Sequence, residues 1–258
     1  MCHWRICVIS LKTNNWIINN IETILFDKDG TFIDLHYFWG KMTELRAENI
    51  INHFDMNKDM FSKLCLFLGY DVATGKMLSD GITALYSRPK IIDIFCQNLQ
   101  DCGITTNHKE IEEIFDKVNK IFYADMQKYT KPIDNAIDFI KKVHSLGIKC
   151  GIVTSDSKES TMMTLEHFDW LDLFEVVIGR ESTSEHKESG VPAKMALEIL
   201  KANPKTTIMV GDAPMDYLAG KNAGIEKTIL VATGQIEAKD LLETSPYVVK
   251  NLAEIEID

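Results

Sequence analysis

After Pro132 the sequence alternates between two kinds of segment, and this rhythm restricts the fold more than any other feature. Amphipathic stretches such as DNAIDFIKKVHSLG, SKESTMMTLEHF and VPAKMALEILK are separated by the short apolar runs IKCGIVTSD, LFEVVIGRE, TTIMVGDAPMD and KTILVATG. Apolar residues at three- and four-residue spacing lay a stripe along a helix, whereas a short apolar run closed by turn residues reads as a buried strand. Repetition of strand and helix argues for a parallel sheet covered by helices on both faces. The earlier run IETILFDKDGTFID has the same strand-then-turn character and most economically joins that sheet.

Between these parts, from about His36 to Tyr129, the pattern changes to helices alone: YFWGKMTELRAENIINHF, MFSKLCLFLGY, KIIDIFCQNLQ and KEIEEIFDKVNKIFYADMQKY. The stretch from Asp71 to Arg88 is richer in Gly, Ser, Thr and Asp and reads as a loop. The expected organisation is an α/β core of residues 21–34 and 130–258, interrupted by an all-helical insertion over 35–129 and preceded by an extension over 1–20. The extension is compatible with an extra strand, a frayed tail or an over-called start. A chain of 258 residues fits one core plus an insertion. With 45% hydrophobic and 26% charged residues it can bury a core, so a disordered or fibrous chain is excluded.

Charge narrows the chemistry. Lys and Arg number 28 against 38 Asp and Glu, and no basic run offers a footprint for a phosphate backbone, so nucleic acid is not expected as a partner. An acidic chain that handles an anionic substrate needs local positive charge from a metal ion, a lysine or a helix N-terminus. The cysteines (Cys2, Cys7, Cys65, Cys96, Cys102 and Cys150) are scattered without a CxxC pair, which supports neither a zinc site nor a disulfide framework. No apolar stretch approaches the roughly 20 residues of a membrane span. The N-terminal MCHWRICVISLK lacks a small-residue cleavage site, so a cytoplasmic protein is expected, with no membrane partner.

Ligands of open α/β sheets bind beyond the carboxyl ends of the strands. Asp27, Asp29, Gly30 and Thr31 follow the first apolar run, Thr154, Ser155 and Asp156 follow another, and Gly211, Asp212 and Asp216 follow a third. In an extended segment the alternation of Asp27 and Asp29 with Lys28 directs both carboxylates to one side. Neighbouring carboxylates repel, so such a pair suits a divalent cation or a shared proton. Asp212 and Asp216 could complete an oxygen-rich site of the type Mg²⁺ prefers. Asp and Gly are also the commonest turn formers, and a DxDGT string arises by chance in about one chain in three hundred of this length.

Together, the strand plus DKDGT, the strand IVTSD and the strand IMVGDAPMD resemble motifs I, II and IV of the haloacid dehalogenase (HAD) superfamily, in the family's order and across the core from about Ile21 onward. The resemblance implies a Rossmann-like parallel sheet with an inserted helical cap of the C1 type, as in the phosphoglycolate phosphatase-like branch. It implies that Asp27 is the nucleophile and forms an aspartyl-phosphate, and that Asp29 is the general acid and base, its backbone carbonyl a ligand of Mg²⁺. Thr154 and the Ser155 amide would hold the phosphoryl group, while Asp27, Asp212 and Asp216 would bind the metal. The motif III lysine departs from the common form: the sequence reads HKESGVPAK, and ungapped alignment back from Gly211 places Lys187 at the family position, with Lys194 as its rival.

A proton-shuttling residue at position 29 disfavours the dehalogenase branch. The implied activity is a Mg²⁺-dependent phosphatase acting on a small phosphorylated metabolite such as phosphoglycolate, a sugar phosphate or a nucleotide. A phosphomutase or a catalytically quiet binding protein on the same fold are the alternatives. His36, Tyr37, Trp39 and Lys41 could contact substrate, although aromatic residues here also suit packing. Trp170, Leu171, Leu173 and Phe174 are expected to pack a helix-to-strand corner, and Met162 and Met163 to fill the core. His108, His144 and His167 show no ligand spacing.

Overall fold

The computed structural model describes residues 9–258. Along the chain, strands β1 (Leu11–Lys12) and β2 (Ile17–Ile18) precede β3 (Thr23–Phe26). Then come α1 (Leu35–His53), α2 (Phe61–Phe67), β4 (Tyr70–Asp71), β5 (Lys76–Met77), α3 (Ile82–Leu85), α4 (Arg88–Asp101), α5 (His108–Ala124) and α6 (Met126–Tyr129). The remainder is α7 (Ala136–Ser145), β6 (Lys149–Val153), α8 (Lys158–His167), β7 (Val176–Ile178), α9 (Val191–Leu200), β8 (Thr207–Gly211), α10 (Pro214–Asn222), β9 (Lys227–Val231), α11 (Ala238–Leu241), β10 (Val248–Val249) and β11 (Glu256–Ile257).

The described residues form two compact units, one of those up to Ile33 together with Pro132–Asp258 and the other of Asp34–Lys131. The first is built on a six-stranded sheet of order β10-β9-β8-β3-β6-β7, parallel throughout. Its central strands TILF and TIMVG are buried at every position, as strands covered on both faces must be. On one side Leu25, Val153, Ile178 and Met209 pack with Ala193, Ala196, Leu197 and Leu200 of α9. Elsewhere in this unit Phe26 makes edge contacts with Phe139 and Phe174, and Phe32 stacks on Phe174. Trp170 and Phe174 are buried as expected for a corner, but Leu171, expected there too, is 38% exposed, and Met162, expected in the core, is 37% exposed.

β3 comes first among the strands of this sheet and lies between β6 and β8, so the sheet grows outward from it in both directions. That is the switch-point arrangement at which α/β sheets bind ligands. Register reinforces it: Phe26 pairs with Ile152 on one side and Val210 on the other. Asp27 N then donates to Val210 O at 2.8 Å, and Thr154 N donates to Ile178 O at 3.0 Å. Three strands therefore end at one level.

Residues 11–12 and 17–18 are strands, in a small antiparallel sheet of order β11-β1-β2 in which Leu11 faces both Ile257 and Ile18. Residues 1–8 of the expected extension, with Cys2 and Cys7, lie outside the described residues. Cys65, Cys96, Cys102 and Cys150 are free thiols.

The second unit packs Ala47 and Ile50 of α1 against Leu64 and Leu68, Ile92, Phe95 and Leu99 of α4, and Ile111 and Phe115 of α5. Asp34 caps α1 by accepting from Tyr37 N at 3.0 Å. This unit is not wholly helical, and 71–88 is not a plain loop: β4 and β5 form a hairpin, with Tyr70 opposite Met77, and α3 follows. The polar residues of this stretch build the turn itself, where the Asp71 carboxylate accepts from Ala73 N and from the Thr74 hydroxyl. Among the described residues no helix is long and apolar enough to cross a membrane.

Candidate active site

The shared level of the strand ends brings together residues that lie far apart in sequence. Asp27 leaves β3, Thr154 leaves β6 and Asp212 leaves β8, while Asp216 occupies the first turn of α10, where its Oδ2 accepts from Ala213 N at 3.0 Å. Asp27, Asp212 and Asp216 are all buried, and each offers a carboxylate oxygen within 4.8 Å of the others. The Asp29 side chain is not part of this group. Space around Asp212 is kept open by two glycines: a Cβ on Gly30 (φ +83) or on Gly234 would fall on its carboxylate. The Thr233 hydroxyl donates to Gly30 O at 2.5 Å and ties the two loops together.

Lys187 reaches this cluster and Lys194 does not. The Lys187 ammonium lies 2.5 Å from Asp27 Oδ1 and 2.6 Å from Asp216 Oδ1, and the residue is buried. Lys194, on α9, is exposed. A single 3₁₀ turn carries Lys187, and the chain then passes through Gly190 at φ +80, where a side chain would collide with the backbone of Asn222, before α9 begins. Pro192 in the first turn of α9 fixes that start.

A second buried lysine was not singled out by sequence reasoning. Lys28 is fully buried, with its ammonium 2.5 Å from Asp29 Oδ1 and 3.2 Å from Asp156 Oδ2. Each lysine thus bridges two carboxylates, Lys187 those of Asp27 and Asp216, Lys28 those of Asp29 and Asp156. The available signal was a lysine between two aspartates at a strand end, with a further aspartate two residues after Thr154. On the β6 side, the Thr154 hydroxyl accepts from Asp156 N at 3.1 Å, and Ser157 caps α8 by accepting from Ser160 N. Ser155 stands between them on the surface.

Four of the five buried carboxylates therefore share two ammonium groups and Asp212 touches neither, which leaves three negative charges in excess when all are ionised. Burial raises Asp216 to about 6 against the pull of Lys187, raises Asp29 to about 6 against the pull of Lys28, and with Asp216 beside it raises Asp212 well above the ordinary carboxylate range. Burial works against charge on both lysines, yet their paired carboxylates prevail and hold them above the usual lysine value. A site of this composition takes up protons unless a cation is supplied. Its hard oxygen donors, their spread about that of ligands around one ion, and the side-chain-free space at Gly30 and Gly234 fit Mg²⁺.

His36, Tyr37, Trp39 and Lys41 belong to the helical unit. There His36 Nδ1 accepts from Met77 N at 3.1 Å, the Tyr37 hydroxyl donates to Lys128 O at 2.9 Å, Trp39 packs edge-on to Phe38, and Lys41 pairs with Glu44 at 2.6 Å. His108 pairs with Asp93 at 2.6 Å.

The chain is similar to proteins already known. A pyrophosphatase PpaX from Halalkalibacterium halodurans is 29% identical over 81% of this chain and 83% of its own length. A phosphoglycolate phosphatase from Psychrobacter arcticus is 28% identical over 52% of this chain and 60% of its own. The crystal structure of a HAD-superfamily hydrolase, subfamily IA, variant 1, from Geobacter sulfurreducens superimposes with a TM-score of 0.60 at 15% identity, covering 91% of this chain and 94% of that one. Residues 83–231 match the family model of the haloacid dehalogenase-like hydrolases, and the chain belongs to that family of enzymes.

Proposed function

We propose that the protein is a Mg²⁺-dependent phosphatase that hydrolyses a small phosphorylated metabolite through a phosphoryl group carried on Asp27. The observation that carries this reading is the convergence of Asp27, Asp212 and Asp216 with the buried ammonium of Lys187. Asp27, Asp212 and Asp216 would hold the ion, with the Asp29 backbone carbonyl as a further ligand. Bound there, Mg²⁺ would offset charge on the phosphoryl oxygens.

In the first step an Asp27 oxygen attacks phosphorus, the bond to the leaving oxygen breaks, and Asp29 gives that oxygen its proton. In the second, water attacks phosphorus and loses a proton to Asp29, and the bond to Asp27 breaks, which regenerates the carboxylate and releases inorganic phosphate. Lys187 orients Asp27 and balances its charge, and the Thr154 hydroxyl and Ser155 amide, just before α8, cradle the phosphoryl oxygens. Asp29, raised to about 6, exchanges a proton within the range of neutral solution.

The relatives named pyrophosphatase and phosphoglycolate phosphatase support phosphoryl hydrolysis and suggest the first substrates. The test is release of inorganic phosphate from pyrophosphate, phosphoglycolate, sugar phosphates and nucleotides, with Mg²⁺ or EDTA, by the wild type and Asp27→Asn. Metal-dependent release that disappears in the variant is expected. Release that persists in Asp27→Asn would overturn the assignment of the nucleophile.

A further inference from the structure

The helical unit holds a cation that the chemistry above does not use. Arg46, on α1, is 5% exposed, and its Nε–H meets no acceptor. Its guanidinium lies over the Phe115 ring, 4.3 Å from the centroid, which satisfies the face of the cation but none of its N–H groups. One turn earlier on the same helix, Thr43 is fully buried and its hydroxyl is also without a partner. Residues three apart on a helix share a face, so the orphaned hydroxyl of Thr43 and the side chain that carries the orphaned Nε–H of Arg46 start from the same face of α1.

The titratable groups that act on Arg46 are another guanidinium, Arg88, and Tyr123; burial and Arg88 push Arg46 down to about 9. Arg88 itself donates to Asp116 and, with the Asn119 amide turned so that its oxygen faces the arginine, to Asn119 at 2.8 Å. A guanidinium cannot shed its charge as a buried lysine can, and a buried charge without a counterion is among the costliest features a fold can carry.

We propose that Arg46 and Thr43 form an oxyanion-binding site in the helical unit, with Arg88 at its edge, which takes a phosphate-like or carboxylate group. A planar fork of N–H donors beside a hydroxyl donor is the chemistry that recognises such a group. This site stands whether or not the core is a phosphatase.

The sequence has four arginines, Arg5, Arg46, Arg88 and Arg180, so an ¹⁵N-labelled full chain gives at most four Nε–Hε cross-peaks, assigned with Arg46→Lys and Arg88→Lys. Inorganic phosphate is titrated in EDTA at constant ionic strength, with chloride as the control. The Arg46 peak is expected to shift saturably with a Kd of about 1 mM or tighter. A peak that does not move up to about 50 mM phosphate, or moves equally with chloride, overturns the proposal. In parallel, phosphate should raise the unfolding temperature of the wild type in EDTA but not of Arg46→Met, and an equal rise in both places the binding elsewhere.

Discussion

Without its cation the core should lose stability as the pH rises through the range in which most proteins are comfortable. Asp29 and Asp216 are each held at about 6 in the folded chain against an ordinary value of 3.8. Between those values the folded state binds more protons than the unfolded state, so the derivative of unfolding free energy with pH is negative. The stability these groups contribute is fully present below pH 3.8 and is lost as the pH passes through 6. A shift of this size is worth at most about 3 kcal/mol per carboxylate, a large part of the 5–15 kcal/mol typical of a domain. The lysine values, raised above 10.5, act only in alkali and leave this window alone. Urea unfolding followed by circular dichroism at pH 5 and pH 7.5 in EDTA should show a lower midpoint at pH 7.5, and added Mg²⁺ should reverse the loss at pH 7.5 far more than at pH 5. Asp212→Asn removes a titratable ligand from the cluster at constant shape, so in EDTA at pH 7.5 it should be no less stable than the wild type and indifferent to Mg²⁺. A wild-type midpoint in EDTA that is flat or rises over this range would refute the account of the cluster as an excess of buried negative charge.

Four other outcomes follow from the same geometry. Lys187→Met leaves Asp27 and Asp216 without their cation and should lower kcat by about a hundredfold or more at saturating Mg²⁺. Gly234→Ala places a methyl on the Asp212 carboxylate and should weaken Mg²⁺ binding by about tenfold or more in calorimetry, with the far-ultraviolet spectrum unchanged. Lys28→Met leaves Asp29 and Asp156 facing each other and should slow release from alkyl phosphates, whose leaving oxygen needs a proton, more than from p-nitrophenyl phosphate. Phe95→Ala opens a cavity among Phe115, Ile92 and Leu99 and should cost about 3–5 kcal/mol in chemical unfolding of the helical unit.

What the sequence made legible was whatever depends on local pattern. Buried strands such as TILF and TIMVG, and the carboxylates just beyond them, stand out because a strand covered on both faces must be apolar throughout and must end where polarity begins. The hairpin at Tyr70–Met77 was hidden because two-residue strands are too short to show alternation, and only their turn residues remain visible. Lys28 was hidden for another reason. Alternation predicts the side of the chain on which a side chain starts, whereas a lysine stem is long enough to carry its ammonium elsewhere, here to Asp29 and Asp156. Arg46 escaped notice because an arginine in an amphipathic helix is ordinarily a solvated residue, and nothing local announces that α5 covers it with Phe115.

The two buried lysines explain why such an acidic cluster can exist before any ion arrives. Were each lysine given to one carboxylate, Asp156 and Asp216 would be buried without a counter-charge, a costly state. Shared as they are, Lys28 spans the ends of β3 and β6, and Lys187 spans the end of β3 and the start of α10. Each ammonium therefore joins two segments of the chain at the switch point, and removing either should loosen the alignment of those segments as well as the local charge balance. The remaining negative excess is centred on Asp212, which no ammonium contacts and around which two glycines leave room. The fold thus neutralises the periphery of the cluster with its own residues and leaves the centre to a cation.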